Sequence, residues 1–157
     1  MSSIPHKLQV LAKIAARCNQ ENILWAVGAS LLLFLQGYVD DFHDLDILVA
    51  EDDALQMEEI LKSLGTLQST SFGDGIYKTK RFSKFVIEGV DLDMMGGFAI
   101  VHDGILHDCD VKPSQISGYT QVYGQTIPLH SIPLWRTYYS WMGREQKVAI
   151  IDEKTDL

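Results

Sequence analysis

His43-Asp44-Leu45-Asp46-Ile47-Leu48-Val49 is the segment that most restricts what this chain can fold into. Strand side chains alternate between faces. In an extended conformation Asp44 and Asp46 therefore share one side, while Leu45, Ile47 and Val49 enter a core. Two like charges on one face of a mostly apolar strand are costly unless a cation sits between them. A hard divalent ion such as Mg²⁺, shared between carboxylates and phosphate oxygens, removes that cost. Asp91-Leu92-Asp93-Met94-Met95 repeats the pattern with the same parity. Two such strands would gather three carboxylates, a metal site suited to phosphoryl or nucleotidyl transfer.

Length and charge narrow the partners. A chain of 157 residues is expected to form one domain over 1–157, large enough to build a core without staples. The formal net charge of -8 argues against extensive nucleic-acid binding, which needs a cationic surface. It leaves room for a nucleotide held by a metal and a few basic groups. Cys18 and Cys109 are too few for a disulfide framework and suggest a reducing, cytoplasmic setting. Leu31 to Leu35 is strongly apolar but short, so it reads as a buried helix and no membrane segment is expected.

Periodicity places these motifs on elements. Lys7 to Asn22 reads as an amphipathic helix, Ile23 to Val27 as a short strand, and Ser30 to Gln36 as a helix stopped by Gly37. Leu45 to Ala50 is a strand, and Ala54 to Leu64 a surface helix capped by Asp52 or Asp53 and ended by Gly65. Lys80 to Ile87 and Val90 to Met95 flank Glu88-Gly89, which predicts a hairpin whose second strand carries Asp91 and Asp93. Ala99 to Ile116 has no clear period. Gln125 to Leu129 suggests a further strand, broken by Pro128, and Leu134 to Met142 a last helix.

Gly28-Ala29-Ser30 joins a strand to a helix. Backbone N–H groups at such a turn can hold phosphate oxygens, Gly28 allows close approach, and the Ser30 hydroxyl can donate to the same phosphate. Arg81 and Lys84, with Lys80, are the nearby cations for a triphosphate, although strand alternation lets only some of them face the site. No glycine-rich loop ends in Lys-Ser or Lys-Thr, which disfavours a P-loop. His43 lacks a second histidine at ligand spacing, and His102 and His107 make an unspecific case for zinc. Trp135, Tyr138 and Tyr139 share a helix face, the pattern of core packing or a subunit contact.

Together Gly28-Ala29-Ser30, Asp44-Leu45-Asp46 and a third aspartate on a later strand resemble the nucleotidyltransferase superfamily, the polymerase-beta-like fold. Trp25-Ala26-Val27-Gly28 with His43-Asp44-Leu45-Asp46-Ile47 is similar to the small aminoglycoside and lincosamide nucleotidyltransferases. Met142-Gly143-Arg144-Glu145-Gln146-Lys147 resembles the Arg-Glu-Lys cluster near the end of short relatives. The resemblance implies an α/β (α+β) fold, with a mixed central sheet flanked by helices and residues 98–157 extending the core. It also implies Mg²⁺-dependent transfer of an NMP group from an NTP such as ATP to a hydroxyl acceptor, with pyrophosphate release. Asp44 and Asp46 would then bind two Mg²⁺ ions and Asp93, placed before an apolar pair and a glycine exit, would complete the metal set. Asp91 would be a supporting partner or a base for the acceptor hydroxyl, or else a bystander. Gly28, Ala29, Ser30, Arg81 and Lys84 would hold the nucleotide. An alternative is a catalytically weak nucleotide-binding or interaction module, such as an antitoxin-like partner of another protein. A homodimer through Trp135 to Trp141 is a further expectation, because the minimal core leaves nucleobase and acceptor exposed.

Overall fold

A computed structural model describes residues 2–155. A seven-stranded sheet runs in the order β3 (Thr66–Ser71), β4 (Arg81–Ile87), β5 (Val90–Gly96), β2 (Leu45–Val49), β1 (Trp25–Val27), β9 (Gln125–Leu129), β8 (Gly118–Val122), and β6 (Ala99–His102) and β7 (Ile105–Asp108) form a separate two-stranded ribbon. Helix α1 (Ile4–Gln20) begins one turn earlier than its apolar period suggests, because the Ser3 side chain accepts from the His6 backbone N–H and Pro5 occupies the first turn. Strand β1 (Trp25–Val27) leads through Gly28 into α2 (Ala29–Leu35). Strand β2 (Leu45–Val49) is followed by α3 (Ala54–Leu64). Asp53 stands at the N-cap of α3, but its carboxylate instead accepts from the Leu24 backbone N–H at 2.9 Å, tying the start of α3 to the residue that leads into β1.

The expected hairpin is β4 (Arg81–Ile87) and β5 (Val90–Gly96). Its turn residues Glu88 and Gly89 both have positive φ, 50° and 79°, as a tight hairpin turn requires. Strand β3 (Thr66–Ser71) adds an outer edge to it. The region without a clear period folds into β6 (Ala99–His102) and β7 (Ile105–Asp108). Strand β9 (Gln125–Leu129) runs through Pro128 without a break, pairing antiparallel with β8 (Gly118–Val122) and touching β1 at Leu129. Pro128 is accommodated because the β1 pairing is registered only at the end of β9, beyond the proline. The last helices are α4 (Ile132–Trp141) and α5 (Glu145–Thr155).

Strand parity divides the sheet into a packed face and a working face. Leu45, Ile47 and Val49 of β2 and Leu92 and Met94 of β5 are fully buried, in one core with Leu11, Ile14, Met57 and Leu61 from α1 and α3. Gly96 belongs to this side: a Cβ there would lie 2.7 Å from the Ala54 Cβ, so glycine lets α3 sit close to β5. The opposite face presents the aspartates. It is flanked by α2 and α4, with α5 packed on α4. None of the described helices is long and apolar enough to cross a membrane.

Candidate active site

The two Asp-x-Asp strands lie side by side in parallel. Leu45 pairs with Leu92, Asp46 with Asp93, and Ile47 with Met94. The aspartates are therefore brought together by register, not merely by proximity of loops. One oxygen from each of Asp44, Asp46 and Asp93 lies within 4.8 Å of the others. His43, Asp44 and Asp91 form a second such group, more exposed, with His43 Nε2 at 3.4 Å from Asp44 and 3.8 Å from Asp91. Asp91 thus stands on the rim beside His43, while Asp93 is on the floor beside Asp46.

Electrostatics make the floor a candidate cation site. Desolvation at the cavity floor, with repulsion from Asp93 and Asp44, pushes the Asp46 carboxyl well above the ordinary carboxylate range. Desolvation also raises Asp93, against the opposing pull of Lys84. Lys84 Nζ lies 3.3 Å from Asp93 Oδ1 and partly neutralises the cluster. A hard-oxygen donor set with surplus negative charge fits Mg²⁺ better than a soft metal, so the residues present suit the ion.

A cavity of about 500 Å³ opens over this floor. Ala29 and Ser30 line it with Asp44, Asp46 and Asp93, and Tyr139 and Arg144 close it from α4 and the start of α5. Helix α2 starts at Ala29, so the first backbone N–H groups at this turn have no intrahelical acceptor. Ala29 has φ of 50°, a left-handed conformation that costs a residue with a Cβ on the order of 1 kcal/mol. Packing also requires glycine at position 28: a Cβ there would lie 2.5 Å from Trp135 Cζ2.

The cations are sorted by strand parity. Lys84 reaches the cluster, but Arg81 points to the packed face and forms an ion pair with Glu58 of α3, which also accepts from Ser83 Oγ at 3.2 Å. Arg81 does not line the cavity, and neither does the exposed Lys80. The cationic groups on the turn side come instead from the far end of the chain. Lys147 Nζ donates to Ser30 Oγ at 3.1 Å, and burial with the nearby Arg144 lowers its proton affinity. Arg144 stacks over the Tyr139 ring at 5.7 Å. The sequence signal for these groups was the Arg144-Glu145-Gln146-Lys147 cluster, whose two cations stand three residues apart, Arg144 just before α5 and Lys147 in its first turn. Trp135, Tyr138 and Tyr139 are buried within the chain, their rings packed on Phe98 and one another.

Comparison with known proteins agrees with this geometry. No family model matches the chain, and no curated protein matches it. Among solved structures, a Thermotoga maritima protein assigned as a nucleotidyltransferase superposes with a TM-score of 0.78 at 26% identity, covering 99% of this chain and 96% of that one. The chain has the polymerase-beta-like nucleotidyltransferase fold. The antibiotic-resistance factor ANT(2'')-Ia in its solution structure matches with a TM-score of 0.67 at 15% identity, covering 96% of this chain and 84% of that one. A crystal structure of ANT(2'')-Ia with adenylyl-2''-tobramycin gives 0.57 at 13% identity, covering 94% and 96% of the two chains. Within this nucleotidyltransferase fold, Asp44, Asp46 and Asp93 form a candidate metal-binding triad.

Proposed function

We propose that this chain is a Mg²⁺-dependent nucleotidyltransferase, moving an NMP group from an NTP to a hydroxyl acceptor with release of pyrophosphate. The observation that carries this reading is the pairing of Asp46 with Asp93 across β2 and β5, in one cavity with the Ala29-Ser30 turn. Two ions held by Asp44 and Asp46, one of them shared with Asp93, would supply charge stabilisation for both the attacking and the leaving oxygen. The chain's own groups do the positioning. Ser30 Oγ and the backbone N–H groups at the turn bind the β- and γ-phosphates, and Lys147 and Arg144 add cationic partners there. Lys84 compensates the carboxylates and fixes the Asp93 rotamer. The acceptor enters from the rim lined by His43, and its oxygen forms a bond to the α-phosphorus as the bond to the bridging oxygen of pyrophosphate breaks. The acceptor proton passes to the Asp93 carboxylate, and Asp91 stands outside this step on the rim beside His43.

Pyrophosphate release, measured with Mg²⁺ across a panel of NTPs and hydroxyl acceptors, tests the proposal. Turnover lost in Asp46→Asn is the expected result. The absence of turnover in every combination, together with no metal-dependent nucleotide binding, would overturn it.

A further inference from the structure

Two tryptophans are almost wholly buried in this fold, and they are treated differently. Trp25 is 1% exposed and its indole N–H donates to Asn19 Oδ1 at 3.0 Å. Trp135 is also 1% exposed, but its Nε1 is buried with no hydrogen-bond acceptor among the described residues. An unpaired buried donor is a liability that a phenylalanine would avoid while keeping most of the ring packing. The ring is held firmly: Phe98 stacks on it at 5.7 Å, and Tyr138 and Tyr139 flank it at 5.3 and 5.4 Å.

The orientation of the indole gives the orphan donor a place. The three atoms nearest a Cβ built on Gly28 are Cζ2, Cε2 and Nε1 of Trp135, at 2.5, 2.9 and 3.0 Å. The donor-bearing edge therefore lies over the first residue of the Gly28-Ala29-Ser30 turn, and Trp135 lines the same cavity as Ala29 and Ser30. An atom entering at this turn would supply the acceptor it lacks. With Lys147 on Ser30 and Arg144 on the same wall, that atom belongs to an anion.

We infer that the Trp135 indole N–H is a ligand-binding donor, reserved for a phosphate oxygen of the nucleotide at the Gly28-Ser30 turn. This rests on the proposed function and assigns one residue to the phosphate end of that site. The glycine at position 28 is then the residue that lets the indole reach the turn.

The test uses the full chain with Trp indole nitrogens labelled with ¹⁵N. Inorganic pyrophosphate is titrated in the presence of Mg²⁺, and the indole resonances are assigned with W25F, W135F and W141F. A downfield shift of the Trp135 indole proton, with the Trp25 signal unmoved, is expected. In parallel, calorimetry on W135F should give a pyrophosphate Kd raised about tenfold, while its ligand-free melting temperature equals or exceeds that of the wild type. A role confined to packing would lower the melting temperature and leave the wild-type indole resonance unmoved. An unmoved Trp135 resonance at saturation, or an unchanged Kd in W135F, overturns the inference while turnover still supports the transferase reading. If W135F fails to fold, the wild-type resonance alone decides. Wild-type chain that binds no pyrophosphate with Mg²⁺ overturns this inference, and the pyrophosphate-release assay then judges the transferase reading separately.

Discussion

Asp46→Asn should make the metal-free protein more stable while abolishing its chemistry. Asp46 repels both Asp44 and Asp93, whose ligand oxygens lie within 4.8 Å of its own. At that separation and an effective dielectric constant of ~20, each pair costs at least about 3.5 kcal/mol. The substitution also forfeits attraction to Lys84 and Lys147, and in the wild type proton uptake at Asp46 already relieves part of the strain. A net gain of about 1–3 kcal/mol remains, or about 3–9 °C in melting temperature for a chain of this size. The pH dependence fixes the sign. Asp46 has its folded pKa raised, so the folded state holds the proton more tightly than the unfolded state. Wild-type stability must therefore fall as pH rises from the unfolded carboxylate value through the raised folded value, and stay low above it. Wild type and variant should melt together at the acid end of that window and diverge toward neutral pH. Saturating Mg²⁺ should reverse the order, since ligand at about 100 times its Kd adds about 2.7 kcal/mol to whichever state binds it. Melting curves from pH 4 to 8, with Mg²⁺ and with chelator, read this directly. A variant that melts below wild type in chelator at neutral pH would refute the reasoning, because Asp46 would then be held by a favourable partner and not by mutual repulsion.

The other predictions separate roles within the same site. Asp93→Asn should cut turnover by about 100-fold or more, whereas Asp91→Asn, on the exposed rim, should keep it within several-fold; comparable losses in steady-state assays would make Asp91 the proton acceptor. Arg81→Met should cost about 2–4 kcal/mol in denaturant unfolding, because Glu58 is left buried without its ion pair, yet leave the KM for NTP nearly unchanged. Lys147→Met should raise the KM for NTP about tenfold with little effect on kcat if Lys147 holds phosphates equally in ground and transition states. Gly28→Ala should destabilise the fold by about 1–3 kcal/mol through collision with the Trp135 ring, measurable by denaturant titration; a neutral result would mean the ring has room to shift.

Some of this protein was fixed by local pattern. Alternation in Asp44 to Val49 and in Asp91 to Met95 set which side chains share a face, and Glu88-Gly89 set the hairpin between β4 and β5. The apolar period of α1 and α3 did the same for the packed face. The edge strand β3 was not legible, because Thr66 to Ser71 is polar and presents little apolar alternation. Helix α5 was hidden for a similar reason: only Val148 and Ile151 are buried, too few to show a period.

The site itself required the tertiary structure. Sequence parity showed that Asp91 and Asp93 point the same way, but only the register of β5 on β2 sets Asp93 opposite Asp46 and leaves Asp91 beside His43. Arg81 and Lys84, three apart on β4, take opposite faces by alternation, but only the register of β4 on β5 sets Lys84 against Asp93 and leaves Arg81 to Glu58 of α3. Lys147 meets Ser30 across 117 positions of sequence, and Trp135 covers Gly28 from another helix. Charge and alternation are properties of neighbours in the chain, so a sequence can display them. Which charge meets which depends on strand register and helix packing, and those are decided by burial of apolar surface over the whole domain.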